Sequence, residues 1–210
     1  MSKNGRRGPN WFLRMLNRLF CRIWHRLPKG EHGLPDGPVI LVGNHICGVD
    51  PLLVQASVNR PLCFLMAREY YTGMSYLKHF FDAIGVIPVN PGGANRHALE
   101  EAIEVVRQGN ALCLFPEGEA NPVIPLHRIL PGAIVIAMES GAPIIPFRVS
   151  GVWPFDHVHI WKQFLVRNRA RVVFGEPLCL PESVSGKGTV RAGVEAMAKA
   201  LRHVPKGRSL

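Results

Sequence analysis

The sequence predicts an α/β layered fold with a mostly parallel sheet, preceded by an N-terminal amphipathic helix. Short apolar runs, PVILVG at 38–43, PLCFLMA at 61–67 and ALCLF at 111–115, have strand length and recur along the chain. Stretches with helical spacing lie between them, and strands alternating with helices imply parallel strands joined by crossovers. An apolar fraction of 47% over 210 residues suffices for one substantial core and excludes a disordered chain.

Residues 1 to 30 carry eight Lys or Arg and no acidic residue, a large part of the net charge of +10. Arg14, Arg18, Arg22 and Arg26 recur every four residues and form one stripe. Opposite lie Trp11, Phe12, Met15, Leu16, Leu19, Phe20, Ile23, Trp24 and Leu27. Residues 11–27 therefore read as a basic amphipathic helix about 25 Å long. Such a helix suits the plane of a membrane interface, its arginines on anionic headgroups, because regularly spaced arginines are costly in hydrocarbon. No apolar run reaches the roughly 18 residues that a span requires. Residues 1–30 are thus read as a membrane-interface segment and 31–205 as the domain that follows. The alternatives are a helix packed on its own domain and a basic arm for nucleic acid. Bulky aromatics opposite the arginines favour lipid, so no nucleic-acid partner is expected. Arg14 and Arg18 interrupt the apolar region and argue against a cleavable export signal. An organellar transit peptide stays open, since the segment is Arg-rich and acid-free, although poor in Ser.

PVILVG reads as the first strand, and Asp50-Pro51 as an N-cap and first helical residue opening a helix through Leu52, Leu53 and Ala56. Residues 61–67 form a strand, 74–82 a short helix with Met74, Leu77 and Phe81 on one face, and 84–89 the next strand. Leu99, Ala102, Ile103 and Val106 mark a helix closed by Gly109. ALCLF is followed by a helix near 131–140, and then by APIIPF at 142–147, whose prolines fit an edge or terminal strand. RVVFGEP at 171–177 and a helix over 189–203 complete the chain. Cys21, Cys47, Cys63, Cys113 and Cys179 are odd in number, lack CxxC spacing and mostly lie in apolar runs, so they read as reduced core thiols. His157 and His159 share a face of the least readable stretch, 151–170, but no Cys or carboxylate completes a metal site, and no metal is expected.

The segment NHICGVD at 44–50 sets His45 and Asp50 five positions apart just after PVILVG. On a continuous helix they would point about 140° apart, so the chain must turn between them, with Gly48 supplying the turn. His45 then sits at a strand end, where open α/β sheets keep their ligand crevices. The pair reads either as a base and its orienter or as a loop histidine and a helix cap. FPEG at 115–118 places Glu117 in a second strand-end loop.

Together, NHxxxxD, then IPV at 87–89, FPEG and PIIP, in this order and spacing, resemble the four motif blocks of the glycerolipid acyltransferase family, which includes the lysophosphatidic acid acyltransferases. The resemblance covers roughly residues 38–150. It implies a glycerolipid-acyltransferase-like fold and transfer of a fatty acyl group from an acyl-CoA or acyl-carrier-protein thioester to a lysolipid hydroxyl. It implies no further cofactor, while the reduced cysteines and the amphipathic helix suggest a peripheral or monotopic place on the cytoplasmic face of a membrane. By the same resemblance His45 is the general base, Asp50 holds its imidazole, and Asn44, Glu117 and Gly118 bind substrate.

Members of the family that use a phosphate-bearing acceptor usually follow FPEG with Thr-Arg-Ser, whereas this chain has Glu119-Ala120-Asn121. The family also carries an arginine soon after the IPV-like strand, where this chain has Asn90-Pro91-Gly92-Gly93. Arg96 is the nearest replacement for binding an acceptor phosphate. Because Arg suits bidentate phosphate recognition, the acceptor stays open between lysophosphatidic acid and another lipid, such as an acylated amino acid. Cys47 stands where Ser is common and raises a rival route through a covalent thioester, against the simpler reading of a small residue in a tight turn. Trp153, Phe155 and Trp161 read as a rim for an acyl chain or as cover for the sheet. Arg167, Arg169 and Arg171 read as a solvated face or as a contact for coenzyme A phosphates or an acidic carrier protein. The rival from another class is a catalytically silent lipid-binding protein of the same fold.

Overall fold

The strand-length runs become β1 (Val39–Gly43), β2 (Leu62–Ala67), β3 (Val86–Val89), β4 (Ala111–Leu114), β5 (Ile144–Ser150) and β6 (Arg171–Phe174). The computed structural model describes residues 8–90, 93, 95–120, 126, 129–154, 162–180 and 187–205. The six strands join in one sheet ordered β3-β2-β4-β1-β5-β6. All pairs are parallel except β5 with β6. The helices are α1 (Trp11–Ile23), α2 (Asp50–Ala56), α3 (Arg68–Gly73), α4 (Lys78–Ala83), α5 (Arg96–Arg107), α6 (Gly132–Ser140), α7 (Lys162–Leu165) and α8 (Lys187–His203). The predicted mostly parallel α/β fold with a leading helix is therefore the one the chain adopts.

β1 is buried along its whole length because both of its faces are covered, which is why it reads as an unbroken apolar run. Val39 and Leu41 pack with Cys21 of α1 and Leu53 and Val54 of α2. Ile40 and Val42 point the other way, into a second core with Ala102 and Val106 of α5, Ile134 and Ile136 of α6, and Met197 and Leu201 of α8. The chain leaves β1 on one face, through α2, and leaves its neighbour β4 on the other, through α6. The β1/β4 boundary is thus the switch point of the sheet, where a crevice opens beyond the strand ends.

Four expectations change. APIIPF is not an edge: β5 lies between β1 and β6. Pro146 is tolerated because the β6 ladder starts at Phe147↔Phe174, and its carbonyl accepts from Gly175 at the ladder's end. The helix expected over 74–82 is broken into a 3₁₀ turn at Ser75–Leu77 and α4, since α3 ends at Gly73 and Met74 leaves the helical region at φ −108°, ψ 50°. Asp50 is the first residue of α2 and not its cap, which is Val49, and its carboxylate turns back into the preceding loop.

The fourth change concerns α1. Expected over 11–27, it ends at Ile23, and Arg26 lies exposed beyond it at φ +51°, while Arg14 and Arg18 of its arginine stripe face the protein. Arg14 donates to the carbonyl of Asn59, and Arg18 donates to Glu31 at 2.6 Å and to the carbonyl of Val58 at 2.9 Å. Asn17 donates to the carbonyl of Leu52 at 2.8 Å. Residues 57–59 follow α2 and present backbone carbonyls that α2 itself cannot satisfy, so a row of guanidinium groups fits there. The apolar row is left outside, with Trp11 at 71% and Ile23 at 60% exposure. Among the described residues no helix is long and apolar enough to cross a membrane.

Candidate active site

β1 ends at Gly43, where a Cβ would lie 2.2 Å from the Phe147 ring of β5, so only glycine lets the two strands stay paired. Asn44 then continues that pairing with its side chain. It is buried, donates to the Val149 carbonyl at 3.0 Å and accepts from the Val149 amide at 2.8 Å. Both ends of the amide expected at the substrate are thus engaged by β5.

His45 follows just past the carboxyl end of β1. Its ring stacks on Phe115, with centroids 4.2 Å apart and planes 17° from parallel. Nδ1 lies 2.9 Å from Asp50 Oδ2, and that carboxylate is fully buried while the imidazole remains one-fifth exposed. The same Oδ2 accepts from the amides of Ile46 at 2.6 Å and Cys47 at 2.9 Å. These donors offset the cost of burying the carboxylate and fix its position, so the imidazole is held by an anchored partner. With its N–H toward Asp50, the neutral imidazole carries its lone pair on Nε2, the state a general base requires.

The remaining amides of the turn are held from elsewhere. His45 N–H donates to Glu117 Oε1 at 3.1 Å, and Glu117 Oε2 accepts from Leu126 N–H at 2.8 Å. Glu117 arrives there because β1 and β4 are neighbours in register, Val42 opposite Leu114. Its buried carboxylate braces two loops through their backbones. Gly118 beside it takes φ +78°, a left-handed conformation that favours glycine. Gly48 N–H donates to Gln163 Oε1 of α7 at 2.6 Å. Gly48 is absent from the left-handed region, so the turn does not need it for its backbone angles. Its hydrogen makes room for the Gln163 amide, which a Cβ would meet at 2.9 Å.

Cys47 is buried, and its thiol donates to Asp50 Oδ1 at 3.4 Å. Burial first, and the Asp50 charge second, push this thiol up from its ordinary value. A thiol so held is a poor source of thiolate. Arg96 stands apart from the turn, at the start of α5 beyond β3. Its side chain is 92% exposed and paired with Glu100 at 2.9 Å. A depression of about 370 Å³ between α5 and α6, lined by Arg96, Glu100, Arg107 and Glu139, likewise excludes every residue of the turn. Arg68, which the sequence reading passed over, opens α3 at the end of β2 and donates to Asn90 Oδ1 at 3.0 Å. Phe155, His157, His159, Trp161 and Asn121 lie outside the described residues.

A family model described as Acyltransferase matches residues 25–150. The chain belongs to the acyltransferase family. Among relatives, a 1-acyl-sn-glycerol-3-phosphate acyltransferase of Borreliella burgdorferi is 32% identical over 147 residues, covering 62% of this chain and 58% of that protein. A probable 1-acyl-sn-glycerol-3-phosphate acyltransferase of Mycoplasma pneumoniae is 27% identical over 125 residues, 56% of this chain and 46% of its own. The chain thus spans about half the length of the curated relatives it matches. The crystal structure of a 1-acyl-sn-glycerophosphate acyltransferase from Thermotoga maritima shares the fold, with TM-score 0.66 and 20% identity over 95% of this chain and 82% of that one. Every residue of the turn, from Asn44 to Asp50, and Glu117 fall within the part that the acyltransferase model covers.

Proposed function

We propose that the protein transfers a fatty acyl group from an acyl-CoA or acyl-carrier-protein thioester to the hydroxyl of a lysolipid, as a step of phospholipid biosynthesis or remodelling. The observation that carries this reading is the 2.9 Å contact between a partly exposed imidazole and a buried, doubly amide-bonded carboxylate. His45 Nε2 takes the proton of the acceptor hydroxyl as its oxygen bonds to the thioester carbonyl carbon. The tetrahedral adduct then breaks its C–S bond, and the proton passes from Nε2 to the leaving sulfur, giving an ester and a free thiol. A lipid hydroxyl is a poor nucleophile at neutral pH, and a positioned base contributes roughly 10² to 10⁴ in rate. Asp50 keeps the ring in the required tautomer and stabilises the imidazolium without taking the proton. The amides of His45, Ile46, Cys47 and Gly48 are all occupied, so the turn presents a base and offers none of these four to a developing oxyanion.

The favoured acceptor is 1-acylglycerol-3-phosphate, the substrate named for the relatives. Arg68 supports it. This cation sits at the carboxyl edge of the sheet, bonded to Asn90, the position where the family's arginine is missing. Two strand spacings separate β2 from β1, about 10 Å, a distance that a glycerol phosphate and two long side chains bridge. Glu119 after FPEG, and the pairing of Arg96 with Glu100, favour the second reading, a lipid acceptor without phosphate. Labelled acyl donor with a panel of lysolipids separates them. Arg68→Ala should raise KM about tenfold for lysophosphatidate and leave that of a neutral lysolipid nearly unchanged. Equal effects on both would remove Arg68 as a phosphate ligand.

The exposed apolar row of α1 supports a place on a membrane surface with the helix lying in the interface, and a thioester donor fits the cytoplasmic face. Leu165, 69% exposed on α7, widens that surface, since its carbonyl accepts from Trp24 Nε1 at the end of α1. The arginines hold the helix to the domain, while Trp11, Leu16, Leu19 and Ile23 enter the lipid.

A further inference from the structure

Gln163 belongs to no motif, yet among the described residues it reaches the His45–Asp50 turn from far along the chain. It lies 115 positions after Gly48, is 4% exposed, and accepts from the Gly48 amide at 2.6 Å. Gly48 stands between His45 and Asp50, so its place sets the span that the two side chains must close. The amides of His45, Ile46 and Cys47 are tied to the Glu117 and Asp50 carboxylates, and the Asp50 amide donates to the Cys47 carbonyl at 3.2 Å. Without Gln163 the Gly48 end would have no such side-chain tether. Contact is close as well as polar, since the Gln163 amide lies where a Cβ on Gly48 would come to 2.9 Å. The helix that carries it closes on itself through Val166 N–H to the Lys162 carbonyl at 2.9 Å, and it is held from outside where the Leu165 carbonyl accepts from Trp24 Nε1 at 3.1 Å.

We propose that Gln163 is a positioning residue of the active site, whose side-chain oxygen holds the Gly48 amide and thereby keeps His45 and Asp50 in reacting register. The proposal rests on the acyl-transfer reading for its kinetic test and on the turn's geometry alone for its structural one. Gln163 is buried and spends its oxygen on the Gly48 amide, so its loss should act on turnover and leave substrate affinity nearly alone.

The test compares Gln163→Met, which keeps length and packing but has no acceptor oxygen, with Gln163→Glu, which restores an oxygen at the same reach. The Met variant should lose about tenfold in kcat with each KM within about twofold of wild type, and the Glu variant should recover to within about threefold. Exchange of the Gly48 amide hydrogen, followed by NMR, should quicken at least tenfold in the Met variant and slow again in the Glu variant. Wild-type kcat in a folded Met variant would overturn the proposal, as would equal losses in both variants that follow their melting temperatures. Should the Met variant not fold, Gly48→Ala displaces the amide from the other side, and an unchanged kcat there would overturn the proposal equally. If the wild-type protein transfers no acyl group to any lysolipid, the acyl-transfer reading fails by itself, and the exchange rates of the Gly48 amide still decide for or against Gln163.

Discussion

The catalytic turn and helix α1 are both conspicuous in the sequence, yet the sequence describes them unequally well. In the turn, His45 and Asp50 meet at 2.9 Å, as their spacing predicts. In α1, the helix forms over Trp11–Ile23, but Arg14 and Arg18 face the protein and the aromatics face out. The difference lies in the range of the interactions. Five residues of chain allow few ways for an imidazole and a carboxylate to meet, whereas an amphipathic helix specifies two faces and not what each one meets. That choice was made by the carbonyls of Val58 and Asn59 and the carboxylate of Glu31, remote in sequence and without a pattern that announces them.

The sharpest way to break the comparison is at the turn. His45→Ala should lower kcat by two orders of magnitude or more while the melting temperature stays within a few degrees, because the ring is partly exposed and its removal leaves a small void. Asp50→Asn should cost nearly as much in kcat and also lower stability, since an amide cannot accept from two backbone amides and an imidazole as a carboxylate does. Near-normal turnover by a folded His45→Ala protein would remove the proposed mechanism.

The helix is tested next, in two ways that separate its faces. Leu16→Glu with Leu19→Glu should weaken binding to vesicles by roughly tenfold or more per leucine, since burying one such side chain is worth roughly 1.5–3 kcal/mol. Activity on a dispersed short-chain acceptor should be kept. Arg18→Ala acts on the other face. It removes the bonds to Glu31 and Val58, worth roughly 1–2 kcal/mol together, and should lower the melting temperature by about 2–8 °C. Salt should affect vesicle binding only slightly, because the stripe is already paired with the domain. A steep loss of binding in salt, with no loss of stability in Arg18→Ala, would restore the arginines to the lipid side.

The smallest effect is expected at Cys47. Its buried, raised thiol takes no part in the chemistry, so Cys47→Ser should keep activity within about threefold, and the native protein should resist alkylation there at pH 8. A stable acyl group trapped on Cys47, with an inactive Ser variant, would establish the covalent route.

Much of the fold could be read because buried parallel strands are apolar on both faces and stand out as runs, as PVILVG and ALCLF do. The strand order could not, and it is the order β4-β1-β5 that brings Glu117 to the His45 amide and Val149 to Asn44. For the same reason nothing in the sequence announces that the polar atoms of both side chains brace backbone. Gln163 went unseen because it lies in a stretch without periodicity, and its only mark in the sequence is a glycine, Gly48, read as a turn former. APIIPF was placed at an edge because its prolines cannot donate to a ladder, and the ladder's late start at Phe147 is visible only in the register. Arg96 was chosen by nearness in sequence, whereas Arg68 reaches Asn90 because β2 and β3 are paired.

The most direct measurement follows the acyl group itself, with a labelled thioester donor and 1-acylglycerol-3-phosphate mixed on vesicles with the purified protein. Products are counted by mass spectrometry. One ester should form on the acceptor hydroxyl for each thiol released, with none on the protein, and His45→Ala should abolish both together. Thiol release without ester, or ester formation that survives the loss of His45, would contradict base-assisted transfer at this turn.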